Sequence, residues 1–507
     1  MRSVKQIILL CLLCISFACI SQPPAFIQNE LDAYIKNGMA KWQVPGLALV
    51  IIKDGQIVKM QGYGVRSLTT REPVNNQTHF FIASNSKLFT GLALANLETQ
   101  GLISLNHAIT QYLPGFKLYD SAITPLVTIA DMLTHRIGTK TFQGDFTFWN
   151  STLSRAQILQ KMRLLPPSQV FRQDYGYCNS CYMAAGEVIP KAIGITWEAY
   201  VQDSLLARLG MHQSFASSNG IENRSSNIAT PYTTSFTNEL RPVPYDRWDN
   251  LGPAASIVSN VSDLAHWLTF QLDSGRYQGK PIIPWQALKR TRQMFIPISS
   301  QKSATLPINF RGYGLGLNMA DYNGRQVYWH TGGAAGMVSN VCLVPDAQLG
   351  IAILTNNDNQ SFFEALRYQI LDAYLEVPFT DRSQMMYTPF AQGMQQQVQQ
   401  IKEWQQAISD SIPAAALNAY TGTYQNSLYG PITLKPVGKG LQVSFGLHPG
   451  LVGQMRYMQN GEWYLEYENI EYGIFTTRFT FNNGKPSSVV IPFNDFVEMD
   501  PYTFTKQ

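Results

Sequence analysis

Ser84, Asn85, Ser86 and Lys87 form an S-x-x-K tetrad at the start of a segment, Ser84 to Gln100, that reads as a helix rich in Leu and Ala and closed by Gly101. Positions three apart on a helix share a face, so the Lys87 amine can reach the Ser84 hydroxyl. A serine hydroxyl is a weak nucleophile and needs a neighbouring base. Free lysine titrates near 10.4 and is a cation at neutral pH, so the amine acts as a base only if burial lowers that value. The helix start adds backbone N–H groups and a positive dipole end for a developing oxyanion. On its own the tetrad has little specificity: about one match per 500 residues arises by chance at average composition. Ser299-Ser300-Gln301-Lys302 is a second match, in a polar stretch after Pro297, and reads as a solvated loop.

Two further groups carry candidate chemistry. Tyr177-Cys178-Asn179 fits Y-x-N, as do Tyr424-Gln425-Asn426 and Tyr467-Glu468-Asn469. His330-Thr331-Gly332-Gly333 follows a short strand, Gln326 to Trp329. A small, turn-prone triplet after an edge strand would let a substrate lie along it, with the Gly333 N–H as an oxyanion donor. Tyr175 lacks an Asn two places on and reads as packing, and His135 reads as structural. Phe142, Phe146, Phe148 and Trp149 either shape an apolar acyl pocket or pack a loop; the sequence leaves both open.

These groups need a scaffold that brings residue 84 to residue 330. Residues 46–53 and 56–65 read as strands joined by an Asp54-Gly55 hairpin turn. Residues 339–344 and 349–355 are two more apolar runs, joined by Pro345-Asp346-Ala347-Gln348. Ser361 with Glu364 predicts a capping box that opens a helix through about Leu375. Helical patterns fill the middle, so a sheet assembled from both ends would bring the tetrad and His330 together. Residues 22–385 are expected to form this unit. Residues 386–412, dominated by Gln, predict a polar linker with one short helix. Residues 413–507 alternate in short segments broken by Gly, Asn and Pro, which predicts a small antiparallel β domain.

The 507 residues carry 38 Lys+Arg against 34 Asp+Glu, a formal net charge of +4, with 45% hydrophobic and 14% charged residues. That balance excludes a disordered chain and a dedicated nucleic-acid binder. Residues 1–21 have a basic start, an apolar run from Ile7 to Ala18 and small residues after it, the pattern of a secretory leader. A lipid-modified Cys19 is the alternative, which Ser16 three places upstream disfavours. The expected protein is exported, periplasmic or secreted, with no later transmembrane segment and oligomeric state open. Of six Cys, Cys178, Cys181 and Cys342 lie beyond the leader. Cys178 and Cys181 have CxxC spacing and read as helix-start packing; no second ligand pair at zinc spacing follows, so no metal and no organic cofactor are implied.

It is the ordered set that is specific. S-x-x-K at Ser84, Y-x-N at Tyr177 and H-T-G at His330 resemble the penicillin-recognising serine hydrolases, in particular class C β-lactamases and their esterase and D-amino-acid peptidase relatives. Val44-Pro45-Gly46, Leu133-Thr134-His135, Leu209-Gly210-Met211, Val261-Ser262-Asp263-Leu264 and Tyr313-Gly314-Leu315-Gly316 resemble stretches typical of that family, over roughly residues 30–376. Tyr420-Thr421-Gly422-Thr423-Tyr424 and Tyr429-Gly430-Pro431 resemble the lipocalin-like β domain often appended to it.

The resemblance implies an α/β (α+β) fold, a β-lactamase/transpeptidase-like antiparallel sheet flanked by helices, plus a C-terminal barrel-like domain. It implies Ser84 as the acylated nucleophile, Lys87 taking or relaying its proton, and Tyr177 assisting as phenolate or proton shuttle. Asn179 would bind Lys87 and the substrate amide; the N–H groups of Ser84 and Gly333 would form the oxyanion hole; His330 and Thr331, with Gly332, would line the substrate edge. The expected activity is hydrolysis of an ester or amide in a small molecule or short peptide through an acyl-enzyme. The alternative is a penicillin- or peptidoglycan-fragment-binding protein without efficient turnover.

Two departures bear on substrate. His330 stands where many relatives carry Lys, which favours an ester or small amide over a β-lactam carboxylate. If His330 meets a substrate carboxylate, activity on acidic substrates rises as pH falls through about 6.5. His135-Arg136-Ile137-Gly138 stands where relatives commonly read His-Thr-Ser-Gly, which would alter the pocket wall.

Overall fold

The computed structural model describes residues 22–507 apart from 410 and 413, so the leader expected over residues 1–21 lies outside the described residues. Near the N-terminus Leu31–Lys41 forms helix α1, followed by strands β1 (Gly46–Lys53) and β2 (Gln56–Gly64). Strands β3 (Ile296–Ser299), β4 (Arg311–Tyr313), β5 (Asn318–Tyr322), β6 (Arg325–Ala334), β7 (Met337–Val344) and β8 (Leu349–Thr355) come some 230 residues later. Among the described residues these eight strands form one antiparallel sheet in the order β2-β1-β8-β7-β6-β5-β4-β3. The two ends of the unit meet at β1 and β8, with Val50 opposite Ala352.

The apolar runs of β1, β7 and β8 are buried along nearly their whole length, because helices cover both faces of the sheet. Alternation sorts their side chains. Leu47, Leu49 and Ile51 pack with Leu31 and Ile35 of α1 and with Phe362 and Leu366 of a helix spanning Phe362–Tyr374. Ala48, Val50 and Ile52 belong to the opposite core with Leu264 and Leu268 of the helix Val261–Leu272. That core also holds the central helix α2 (Ser86–Thr99), buried on nearly every face up to Leu97.

The helix after Ser361 forms as expected, yet Ser361 makes no side-chain cap. Gln360 Oε1 accepts from the Phe363 N–H at 3.1 Å instead, and Glu364 pairs with Arg367. The Gln-rich stretch holds a 25-residue helix, Arg382–Gln406, where a short one is expected. Its Asp381 cap accepts from the Gln384 N–H at 2.9 Å. Tyr387 and Phe390 pack on Trp42, and Gln405 donates to Tyr464 of the C-terminal domain, so the helix braces both domains.

Nine strands between Gly422 and Lys506 form the C-terminal sheet among the described residues. Its two end strands, Ile474–Thr477 and Phe479–Asn482, are separated in sequence by Arg478 alone, and the Val490 N–H donates to Arg478 O at 3.3 Å. The sheet thus curls into a nearly closed β barrel. The molecule is a mixed α/β unit with a large antiparallel sheet flanked by helices, plus that barrel. No helix among the described residues is long and apolar enough to cross a membrane.

Candidate active site

Ser84 sits in a single 3-10 turn, Ala83–Asn85, that leads directly into α2. Ala83 holds a left-handed φ of +47°, a conformation that costs an alanine about 1–2 kcal/mol and turns the chain sharply before the serine. The turn lies against β6 so closely that a Cβ on Gly332 would come 1.9 Å from Ile82 O. The third group is not a turn after an edge strand: His330 to Ala334 are the second half of β6, paired with β7. Strand β5, however, begins only at Asn318, opposite Trp329, so residues 330–334 have no pairing partner from β5 on that side. The open edge expected there exists because a neighbour stops short. Gly332→Ala is expected to push the Ser84 turn off β6, lowering kcat at least about 100-fold and reducing the melting temperature. An ester assay and a thermal melt check this; kcat within twofold of the parent contradicts it.

Lys87 is fully buried and its Nζ has three partners: Ser84 Oγ at 3.0 Å, Asn179 Oδ1 at 2.7 Å and the Ala254 carbonyl at 2.9 Å. Asn179 opens the helix Asn179–Gly186 and its Nδ2 donates to Asp145 Oδ2 at 2.6 Å, which fixes its oxygen toward the lysine. Two of the lysine's partners are carbonyl oxygens, which only accept. A neutral amine satisfies both with its two hydrogens and turns its lone pair to the Ser84 hydroxyl. Burial favours that form and pushes the Lys87 pKa down to about 7.

Tyr177 lines the same cavity as Ser84, with its ring 4.8 Å from Lys87 Nζ. Burial drives its pKa well above 10, so the phenol is neutral and the phenolate reading loses its support. The structure thus brings Ser84, Lys87, Tyr177 and Asn179 together as expected. Tyr175 is a pocket-wall residue as well as a packing one.

His330 does not behave as a free edge group. Its Nδ1 donates to Thr331 O at 2.8 Å, so its Nε2 accepts from the Tyr313 hydroxyl at 3.0 Å. His135 Nδ1 accepts from the Cys178 N–H at 3.0 Å, which leaves its Nε2 to donate to Tyr313 at 3.3 Å. The partners assign both tautomers, and both rings are neutral. Burial, reinforced by Lys87, pushes His330 down to about 3. The expected change in activity near pH 6.5 therefore has no titrating group behind it in His330. Arg136, at the second departure, is tied back by Asp131 at 2.7 Å and by Phe295 O, and is not part of the pocket wall. Cys178 and Cys181 are buried free thiols in contact at the start of the Asn179 helix.

A cavity of about 550 Å³ opens over Ser84. Phe142, Phe148 and Trp149 line it, while Phe146 turns away and stacks between His448 and Phe493 of the barrel. The aromatic stretch therefore does both jobs that the sequence left open. No lysine or arginine is among the described residues lining the cavity. A larger cavity of about 680 Å³, between α1 and the Arg382–Gln406 helix, contains no serine, cysteine or histidine among its described lining residues.

Sequence reasoning missed Asp145, Phe496 and Glu498. Burial, with Glu498 nearby, pushes Asp145 well above the carboxylate range. Glu498 accepts from the Gly144 N–H at 2.8 Å and from Tyr429, so the barrel grips the loop that carries Asp145. A single acid among Phe142, Phe146 and Phe148 was the available signal for Asp145. Nothing in the spacing marks the other two.

Comparison with known proteins adds to this geometry. A family model described as Beta-lactamase matches residues 31–375. Protein flp of Staphylococcus aureus (strain COL) is 26% identical over 357 residues, 68% of this chain and 67% of that protein. Unguisins hydrolase ungD' of Aspergillus campestris (strain IBT 28561) is 25% identical over 434 residues, 80% of this chain and 78% of that protein. The octameric penicillin-binding protein homologue from Pyrococcus abyssi superposes with a TM-score of 0.60 at 20% identity, covering 94% of this chain and 99% of its own. That likeness is one of fold and extends over both domains.

Proposed function

Because the chain belongs to the Beta-lactamase family, we propose that it is an exported serine hydrolase that cleaves an ester or amide through an acyl-enzyme on Ser84. The observation that carries this reading is the environment of Lys87: a fully buried amine whose two carbonyl partners leave its lone pair for the Ser84 hydroxyl 3.0 Å away. The hydrolase named among the relatives supports it, and residues 1–21 support export.

In the proposed reaction Ser84 Oγ attacks the carbonyl carbon and its proton passes to Lys87 Nζ. The oxyanion is held by the backbone N–H groups of Ser84 and Gly333. The C–O or C–N bond then breaks and the leaving group takes a proton relayed through the neutral Tyr177 hydroxyl. Water repeats the attack on the acyl-Ser84 ester and gives its proton to the amine; the acyl C–Oγ bond breaks, and the amine returns that proton to Ser84 Oγ as the acid leaves. Asn179 holds Lys87 through its Oδ1 and gives one of its two Nδ2 hydrogens to Asp145, which leaves the other for a substrate amide. His330 and Thr331 shape the wall beside the scissile group. A neutral His330 offers no cation to a substrate carboxylate.

A panel of p-nitrophenyl esters, D-alanine amides and nitrocefin tests the activity, and its pH profile tests the base. Below about 7 the Lys87 amine is protonated, so kcat/KM is expected to fall about tenfold per pH unit below that value and to level off above it. A flat profile from pH 5 to 8 contradicts Lys87 as the base. Stable labelling of Ser84 without release of product would make the protein a binder.

A further inference from the structure

We infer that the C-terminal barrel completes the acyl pocket through Phe496, and that the site takes a neutral substrate with a bulky apolar acyl group. This rests on the serine hydrolase reading above and names its substrate class.

Phe496 lies in the ten-residue connector between the barrel strands Lys485–Ile491 and Tyr502–Lys506, far from the sequence groups that carry the chemistry. That connector reaches across to the hydrolase unit. A Cβ on Gly333 would come 2.6 Å from Phe496 Cε2, so the ring packs against the face of β6 at Gly333, and Phe496 lines the same cavity as Ser84. Its other neighbour is Trp149, with ring centroids 5.1 Å apart in an edge-on arrangement. Trp149 in turn packs on Trp248 at 5.2 Å. Phe142 and Phe148 continue the same apolar wall around the Ser84 cavity. An aromatic or branched acyl group fits between such rings, which favour edge-to-face neighbours.

The connector is held in place at several points. Asn494 Oδ1 accepts from the Phe496 N–H at 3.3 Å and Asn494 Nδ2 donates to Glu471 O at 3.0 Å. Phe493 stacks on Phe146 with centroids 3.9 Å apart, and Glu498 caps the Gly144 N–H. Lys140 and Asp500 form an ion pair across the same junction. Phe496 therefore has a fixed position rather than a loop tip's freedom.

Charge points the same way. The cavity's described lining has no lysine or arginine, and His330 is neutral. Its one carboxyl, Asp358, accepts from the Gly336 N–H, and burial raises its pKa. A substrate carboxylate would lose its water there without gaining a cation. Neutral apolar groups lose nothing comparable.

The test uses the full chain and three esters: p-nitrophenyl acetate, p-nitrophenyl phenylacetate and the p-nitrophenyl monoester of succinate. The parent protein is expected to favour phenylacetate over acetate, and acetate over the charged succinate, each by about tenfold in kcat/KM. Phe496→Ala should erase most of the phenylacetate preference, its kcat/KM for phenylacetate falling about tenfold further than that for acetate. Phe496→Leu, which keeps an apolar wall, should retain it. An unchanged preference in Phe496→Ala, an equal fall for acetate and phenylacetate, or a preference for succinate overturns the inference. Ser84 phosphonylation by a methyl and a phenethyl fluorophosphonate, read by mass, separates this from the parent reading. If no ester turns over but Ser84 still prefers the phenethyl reagent and Phe496→Ala removes that preference, the pocket stands and turnover falls. No turnover and no labelling overturns both.

Discussion

Ser84→Ala lowers kcat for ester hydrolysis by at least about ten-thousand-fold, with a nearly unchanged melting temperature. The size follows from what is removed. Without the oxygen no acyl-enzyme forms, and what remains is the rate that positioning and oxyanion donors give to direct attack by water. The small structural effect follows from the lysine's partners. In the variant Lys87 keeps the Asn179 and Ala254 oxygens at 2.7 and 2.9 Å, so its buried amine is not orphaned. Steady-state kinetics beside a thermal melt read both quantities. A variant that keeps more than about a tenth of the parent rate would remove Ser84 from the mechanism.

Lys87→Met is expected to lower kcat about a thousandfold, within the range by which a positioned general base accelerates proton transfer. Methionine fills a similar volume and needs no water or hydrogen bonds. Losing the amine leaves the Asn179 and Ala254 oxygens without that donor, which costs about 1–3 kcal/mol each. Removing an amine held in an apolar interior offsets that cost, as the fall of its pKa to about 7 indicates. The fold should therefore survive while turnover does not. Lys87→Arg should not restore activity, because a guanidinium stays charged and cannot accept the serine's proton. Rescue by arginine, or a loss of activity matched by unfolding, would contradict a base role for Lys87.

The nucleophile and its neighbours were legible because local geometry forces them. The helical turn from Ser84 into the start of α2 puts Ser84 and Lys87, three positions apart, on one face, and the β1 and β8 runs are so continuously apolar that they had to be buried together. Asn179 was legible through its spacing from Tyr177, but its Asp145 partner was not, since that contact joins a helix start to a short turn 34 residues earlier, with no periodicity between them. His330 was misread for a different reason. Its residue type suggests titration near neutral pH, while its Tyr313 partner and its burial come from tertiary packing. The Gln-rich helix was underestimated because only Met394 and Ile401 of its C-terminal half are buried, too few to mark a long stripe. Its start was written in Asp381 and Gln384, an Asp-x-x-Gln cap. Phe496 and Glu498 lay beyond reach, because the barrel's docking onto the loop at 140–150 leaves no sequence spacing to read.

The most direct measurement of the central claim is peptide-mapped mass spectrometry of the full chain, acid-quenched within seconds of mixing with an ester it turns over. An acyl mass on the peptide carrying Ser84, absent in Ser84→Ala and enriched when the quench precedes deacylation, is the predicted result. Turnover with no acyl mass on that peptide, sustained in Ser84→Ala, would contradict it.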